Sequence, residues 1–424
     1  MKLLQGKRIL FLGASTYFYE AAKYAKDQGA TIVAIDKRRK EDCIVKQIAD
    51  KDYLVDTTDI NSIKEIVLKE KIDGIYPGAS EVNIPISIKV SNDMNLPIYC
   101  ADHLWEMATN KGIFKNVCRE YSISVTPIYN ISEPIDEKQI NRLEFPLVTK
   151  PVDNNGSTGI TICESPHDFL EAYSKAKKAS KCGEVLVEKK MNFEKSLIAH
   201  YTAQDGEVIF SGLTDKESKK IKDDAAPVMS IQFMPSNLTE KFKDIINDRI
   251  ISMLEGIGIK YGPVWIEVFY DSDQFYLNEI GYRYGGSLTY YPVEYYFGIN
   301  QMHLLLYYLA TGKSLYKVFK HTKELEERSG NVYCILPMQL RPGKIRTIEG
   351  LDDLLREKFI YAFIQSHILN DTILETGTTH QVFGYIHLIA SNREQLIEKI
   401  KYINNSLKIR DENGQNMLDI LYLR

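Results

Sequence analysis

The sequence lacks the features that announce a disulfide framework, a membrane span or a nucleic-acid interface. Its six cysteines, at 43, 100, 118, 163, 182 and 334, are scattered through 424 residues and form no CxxC pair. That spacing argues against structural zinc and for reduced thiols in a cytoplasmic protein. No apolar run approaches the roughly 18 residues of a membrane-spanning helix. The opening MKLLQGKRILFLGAS holds one short apolar run that leads straight into a fold pattern, so it is not read as a signal peptide. Positive charge is not in excess: 53 Lys and Arg stand against 57 Asp and Glu, a net charge of −4. There is no Lys/Arg block either, which removes nucleic acid and membrane from the expected partners. Two phosphate-binding signatures are missing as well. GASTYF, after the first apolar run, lacks the second and third glycines of GxGxxG, although Gly13 and Asp36 are suggestively placed. GxxxxGK[ST] does not occur.

What is present is an ordinary globular composition, 44% hydrophobic and 26% charged, long enough for about two to four domains. Residues 1–100 alternate strands (8–12, 31–35, 53–55, 74–76) with helices (17–28, 60–71, 83–94), the pattern of a doubly wound parallel-sheet α/β domain. Glu81 follows the last of these strands, where open α/β sheets bind ligands; a helix-dipole role fits it equally. A helix over 103–120 carries Lys111. A strand over 145–151 contains Lys150 and leads into DNNGSTG, residues 153–159. Such a turn presents N–H groups to an anion, or is an ordinary hairpin turn. A strand over 184–188 runs into Lys189, Lys190 and Met191. Residues 214–236 read as a polar loop whose lysines, among them Lys216, face solvent.

The richest stretch is YGPVWIEVFYDSDQFYLNEIGYRYGGS, residues 261–287. It predicts two strands, 264–270 and 274–280, joined by a polar turn. Glu267 and Glu279 lie on these strands among apolar neighbours, and an isolated buried carboxylate needs a cation or donors. Mg²⁺ held against nucleotide phosphates, with Arg283 beside it, explains the arrangement; so does a surface hairpin with two solvated carboxylates. From about 331 the pattern changes. Strands at 331–337 and 383–390 and a helix at 392–404 suggest a small C-terminal α+β domain.

Taken in order, Lys111, LVTKP with Lys150, DNNGSTG, VLVEKKMNFE and WIEVFY…YLNEIGYR resemble the ATP-grasp superfamily, and GPVWIEV…YLNEIGYRYGGS is most similar to its amino-acid (carboxylate–amine) ligase branch. The resemblance implies an ATP-grasp fold with a doubly wound domain at 1–100, an ATP-grasp domain at 101–330 with a mobile lid near 121–195, and a C-terminal domain at 331–424. It implies ATP and Mg²⁺ as cofactors. Lys111, Lys150 and the loop Asn155, Gly156, Ser157, Thr158 and Gly159 would meet the phosphates. Glu188, Lys189, Lys190 and Met191 would form the adenine hinge, with Glu188 near the exocyclic amine and Glu194 near the ribose. Glu267 and Glu279 would hold the metal. Arg283 would meet the acyl phosphate or substrate, with Glu81, Gly286 and Ser287 on the substrate side. The implied partners are a small-molecule acid and amine; a homodimer is compatible. The implied activity is ATP-dependent ligation through an acyl phosphate, with an amino acid or similar small acid as substrate. The alternatives are a purine-biosynthesis or carbamoyl-phosphate type of enzyme, or a non-catalytic nucleotide binder. Two departures from the pattern stand out: Trp265 replaces the usual His, and Gly281 replaces the usual Asn, a metal-ligand position in many members.

Overall fold

Residues 2–153, 159–191, 193–222, 227–315 and 323–419 are described in this computed structural model. Strands β1 (Arg8–Leu12), β2 (Thr31–Asp36), β3 (Lys51–Leu54) and β4 (Gly74–Tyr76) form a parallel sheet in the order β3-β2-β1-β4. RILFL and TIVAID are near-continuous apolar runs because helices cover both faces of such a sheet. Helices α1 (Tyr19–Asp27), α2 (Ile44–Ile48), α3 (Ile60–Glu70) and α4 (Asn83–Met94) belong to this unit. Strand order reverses at β1 and β4, so the loops that follow them flank the crevice where open α/β sheets bind ligands.

The single helix expected over 103–120 is two helices, α5 (Asp102–Thr109) and α6 (Lys111–Glu120). Asn110 breaks it: its side chain accepts the N–H groups of Gly112 and Ile113, an N-cap that starts a new helix at Lys111. Next comes a small antiparallel sheet, ordered β5-β8-β6-β7, of β5 (Ile128–Tyr129), β6 (Leu147–Pro151), β7 (Thr161–Cys163) and β8 (Val185–Lys189). With the helix Pro166–Ala179 it encloses its own core of Leu147, Cys163, Phe169, Ala172 and Val187.

The remaining strands are β9 (Lys195–Gln204), β10 (Glu207–Lys219), β11 (Val228–Met234), β12 (Gly262–Asp271), β13 (Gln274–Gly281), β14 (Val332–Gln339), β15 (Gly343–Lys344), β16 (Thr347–Glu349), β17 (Ile360–Gln365), β18 (Thr372–Ile373), β19 (Val382–Ala390) and β20 (Lys408–Arg410). Eight of them build one sheet, in the order β13-β12-β9-β10-β11-β14-β19-β17. The expected polar loop at 214–236 is largely strand: β10 runs through Lys219, and β11 returns to pair Asp215 with Phe233. The segment from Val332 onward extends this same sheet, since Phe233 of β11 pairs with Cys334 of β14. It adds a second core in which Leu396, Ile400 and Ile403 of the helix Arg393–Ser406 pack beneath β14 and β19. Among the described residues, no helix is long and apolar enough to cross a membrane.

Candidate active site

A cavity of about 840 Å³ lies between the crevice of the parallel sheet and the β12–β13 edge of the large sheet. Lys111, Lys150, Glu267, Glu279, Arg283, Glu81, Gly286 and Ser287 all line it. The β12–β13 hairpin is the organising element. Ser272 and Asp273 both have positive φ, 46° and 63°, as a two-residue turn matched to strand twist requires. Glu267 stands opposite Glu279, but the next pair is Val268 with Leu277. Asn278 is therefore the extra residue of a β-bulge. Bulges re-aim side chains, and here Asn278 joins Glu279 on the cavity wall.

A chain of charged contacts runs through this wall. Lys115 pairs with Glu188 and donates to Thr126. Glu188 also pairs with Lys150 at 2.8 Å, and Lys150 donates to Asn278 Oδ1 at 3.0 Å. Asn278 Nδ2 donates to Glu267 at 2.5 Å, and Lys216 closes the series on the other Glu267 oxygen at 2.5 Å. Beside it, Lys111 lies 3.2 Å from Glu279. Burial alone would push Glu188 and Glu267 up, yet neighbouring lysines outweigh it and hold both below the ordinary carboxylate range. Lys216 would be lowered by burial, but Glu267 keeps it above the ordinary lysine value. Lys115 is different: burial, with the nearby Lys150 charge, lowers it to about 8 despite Glu188. His200, on the same cavity, is pushed by burial to about 4 and bonds Thr214 at 3.0 Å, so it is neutral.

The two departures noted in the sequence are one structural fact. Trp265 and Gly281 are paired across β12 and β13. A Cβ on Gly281 would run into the Trp265 indole at Nε1 and Cε2. The indole thus occupies the place an asparagine side chain would take. Arg283 lies with its guanidinium 5.4 Å from the Trp265 ring centroid. It also donates to the Tyr284 carbonyl at 3.1 Å and pairs with Glu81 of the parallel-sheet crevice.

Some expectations are not met. The Glu188 carboxylate is not presented to a ligand, because it is buried and serves as counter-ion to Lys115 and Lys150. Lys216 was expected in solvent and is instead a cavity residue. Lys189 and Lys190 pair with Glu144 and Glu164, and Glu194 accepts the Ser272 N–H at 3.2 Å; none of these, nor Met191 or Gly159, lines the cavity. Asn155, Gly156, Ser157 and Thr158 lie outside the described residues. The sequence reading also passed over Lys115, Asn278 and Lys216. Lys115 was within reach, one helical turn after Lys111 on the same face. Lys216 was not, because its run of charges reads as a solvated loop. Nor was Asn278, because strict alternation turns it away from Glu279.

An ATP-grasp domain model matches residues 143–290. The match identifies this segment, which carries Lys150, Lys216, Glu267, Asn278 and Glu279, as an ATP-grasp domain. Its relatives are divided in what they do. The formate-dependent phosphoribosylglycinamide formyltransferase of Thermococcus kodakarensis is 23% identical over 288 residues, 65% of this chain and 64% of that protein, so the alignment spans less than two thirds of the relative. The L-amino acid ligase from Bacillus licheniformis superposes with a TM-score of 0.75 at 16% identity, covering 96% of this chain and 100% of that one. The phosphoribosylglycinamide synthetase from Anaerococcus prevotii gives 0.74 at 16% identity, with the same coverage.

Proposed function

We propose that the chain is an ATP-dependent ligase that activates a carboxylate as an acyl phosphate and joins it to an amine. The observation that carries this reading is the convergence of Lys111, Lys150 and Lys216 with Glu267, Asn278 and Glu279 on one cavity wall. An ammonium has three donors; Glu188 and Asn278 take two of those on Lys150, leaving the third for a phosphate oxygen. Glu267, Asn278 and Glu279 offer oxygen ligands only, the donor set Mg²⁺ accepts alongside substrate phosphates. Bound there, the metal would neutralise triphosphate charge; the Trp265 indole over Gly281 leaves these three residues as its protein ligands on this wall.

The chain's own work is positioning and charge balance. A substrate carboxylate oxygen attacks the γ-phosphorus of ATP, the bond to the β-phosphate oxygen breaks, and ADP leaves. The amine then attacks the acyl carbon, phosphate leaves, and the amine nitrogen gives up a proton. Lys111, Lys150 and Lys216 would meet the charge on the transferring group. Arg283, four residues past Glu279, would meet the acyl phosphate. The small β5–β8 sheet, with its separate core, would act as the lid that keeps water from that intermediate. The same site fits a purine-biosynthesis acceptor, which the names of two relatives favour. The test is ADP release by the purified chain with Mg·ATP and pooled acids and amines. Release that depends on both an acid and an amine supports the ligase; release with ATP alone, or none with any pair, sinks it.

A further inference from the structure

The turn after Arg283, residues 285–289, lines the cavity along its whole length. It is closed from within. The Leu288 N–H donates to the Gly285 carbonyl at 2.9 Å, and the Gly285 N–H donates to Thr289 Oγ1 at 2.8 Å. Leu288 has a φ of 58°, a left-handed conformation that its side chain disfavours. Turning the Ser287–Leu288 peptide over would relieve this, because that rotation changes φ at Leu288. The same rotation would swing the Ser287 carbonyl away from its present direction. Strained backbone persists only where the surrounding structure over-determines it.

The group that meets the Ser287 carbonyl comes from outside both turn and cavity. It is His387 of β19, about a hundred residues on. Its Nε2 lies 3.0 Å from the Ser287 oxygen, and its Nδ1 lies 2.9 Å from the Tyr333 hydroxyl. A carbonyl only accepts, so Nε2 carries the proton, and Nδ1 of the neutral ring accepts from Tyr333. The imidazole is fully buried, with the Tyr291 ring edge-on to it at 5.1 Å. Burial lowers His387 to about 3, which keeps it neutral. Tyr385, two residues earlier and on the same face of β19, lines the cavity, whereas His387 does not. An apolar ring would fill this space as well. The imidazole adds two directed hydrogen bonds, and one of them ends on the strained turn.

We infer that His387 is a positioning residue: from the C-terminal segment it fixes the Ser287 peptide plane, and through it the turn at 285–289 on the cavity wall. That the turn serves the reacting acid rests on the ligase reading of the cavity; that His387 holds the turn does not.

The test compares three variants of the full chain. His387→Phe keeps a ring and removes both hydrogen bonds. His387→Gln returns an amide N–H near the place of Nε2. Ile400→Val trims the second core on the other face of the same sheet and controls for a general loss of stability. Amide exchange across 285–289 should be about tenfold faster in His387→Phe, within about threefold of wild type in His387→Gln, and unchanged in Ile400→Val. Unchanged exchange in His387→Phe overturns the inference, and so does an equal rise in Ile400→Val. If His387→Phe does not fold, Tyr333→Phe takes its place; exchange there should rise about threefold, and no rise overturns the inference. In ADP release, His387→Phe should raise KM for the acid about fivefold or more while KM for ATP stays within about twofold. A rise confined to KM for ATP overturns the inference. Should no acid–amine pair release ADP, the ligase reading ends and amide exchange alone decides what holds the turn.

Discussion

At the hairpin end of the cavity, Lys111, Lys115, Lys150 and Lys216 face Glu188, Glu267 and Glu279, with most of these side chains buried. At the crevice end, the Arg283–Glu81 pair stands among hydroxyls, aromatic rings and the imidazoles of His367 and His380. The difference is one of tolerance. Buried charges that compensate one another in series cannot be removed singly without stranding a neighbour. An end with one ion pair and no such series of buried charges can change its ligand by changing a side chain. The hairpin end of this chain is therefore held by its chemistry, and its crevice end is the freer of the two to change.

The contrast can be broken most sharply at Glu267. Glu267→Gln should lower turnover about a hundredfold or more, as loss of a preorganised electrostatic group does. ADP release checks this, alongside circular dichroism to show that the fold persists; near-normal turnover would remove Glu267 from the metal site. At the boundary between the ends, Gly281→Asn alone should destabilise by about 2 kcal/mol through overpacking against Trp265. Adding Trp265→His should recover at least half of that loss. Urea melts of both variants and the double variant decide it; additive losses would mean that the two positions are not coupled. Lys150→Ala should weaken ATP binding more than tenfold, about 1.4 kcal/mol, and unchanged affinity by calorimetry would refute a phosphate contact. Arg283→Lys should lower turnover severalfold while leaving ATP affinity within about twofold, since a planar fork matches an acyl phosphate as an ammonium does not. A loss confined to ATP affinity would make Arg283 a brace for the hairpin end.

The smallest effect is a pH dependence. Burial and Lys150 hold Lys115 at about 8 in the folded chain, whereas an unfolded lysine titrates near ~10.4. Between these values the unfolded chain binds a proton that the folded chain has released, so the contribution of Lys115 to stability rises with pH across that window and is least favourable below it. Wild type should therefore gain stability relative to Lys115→Met between pH 7.5 and 10. Denaturant melts at the two pH values measure the gap, and a gap that narrows would contradict the stated sign.

The sequence made the parallel sheet legible because RILFL and TIVAID are apolar runs separated by a helical period. It made the hairpin legible because two alternating runs flank a polar turn. The ordered lysines and carboxylates were also readable, since each lies on an element with a clear period. What escaped depends on register. The bulge at Asn278 leaves no mark in the alternation of YLNEIG, and it decides which side chains reach the cavity wall. Lys216 escaped because a run of charges in a strand with one buried face looks the same as a charged loop. The role of Glu188 escaped because its two lysines come from α6 and β6, far from it in sequence. The joining of β11 to β14 escaped for a similar reason, as strand pairing across about a hundred residues has no local signature.

The Trp265–Gly281 contact also constrains how such a chain can change over generations. Asparagine arriving first meets the indole; a smaller residue replacing tryptophan first leaves a void beside the carboxylates. Either single step passes through a weakened protein, so the two positions should be inherited together. A descendant that carried glycine here with a small residue opposite would betray a recent loss rather than an older design. In gene collections, the identity of the residue facing this glycine should sort relatives of this chain better than the presence of the two glutamates does.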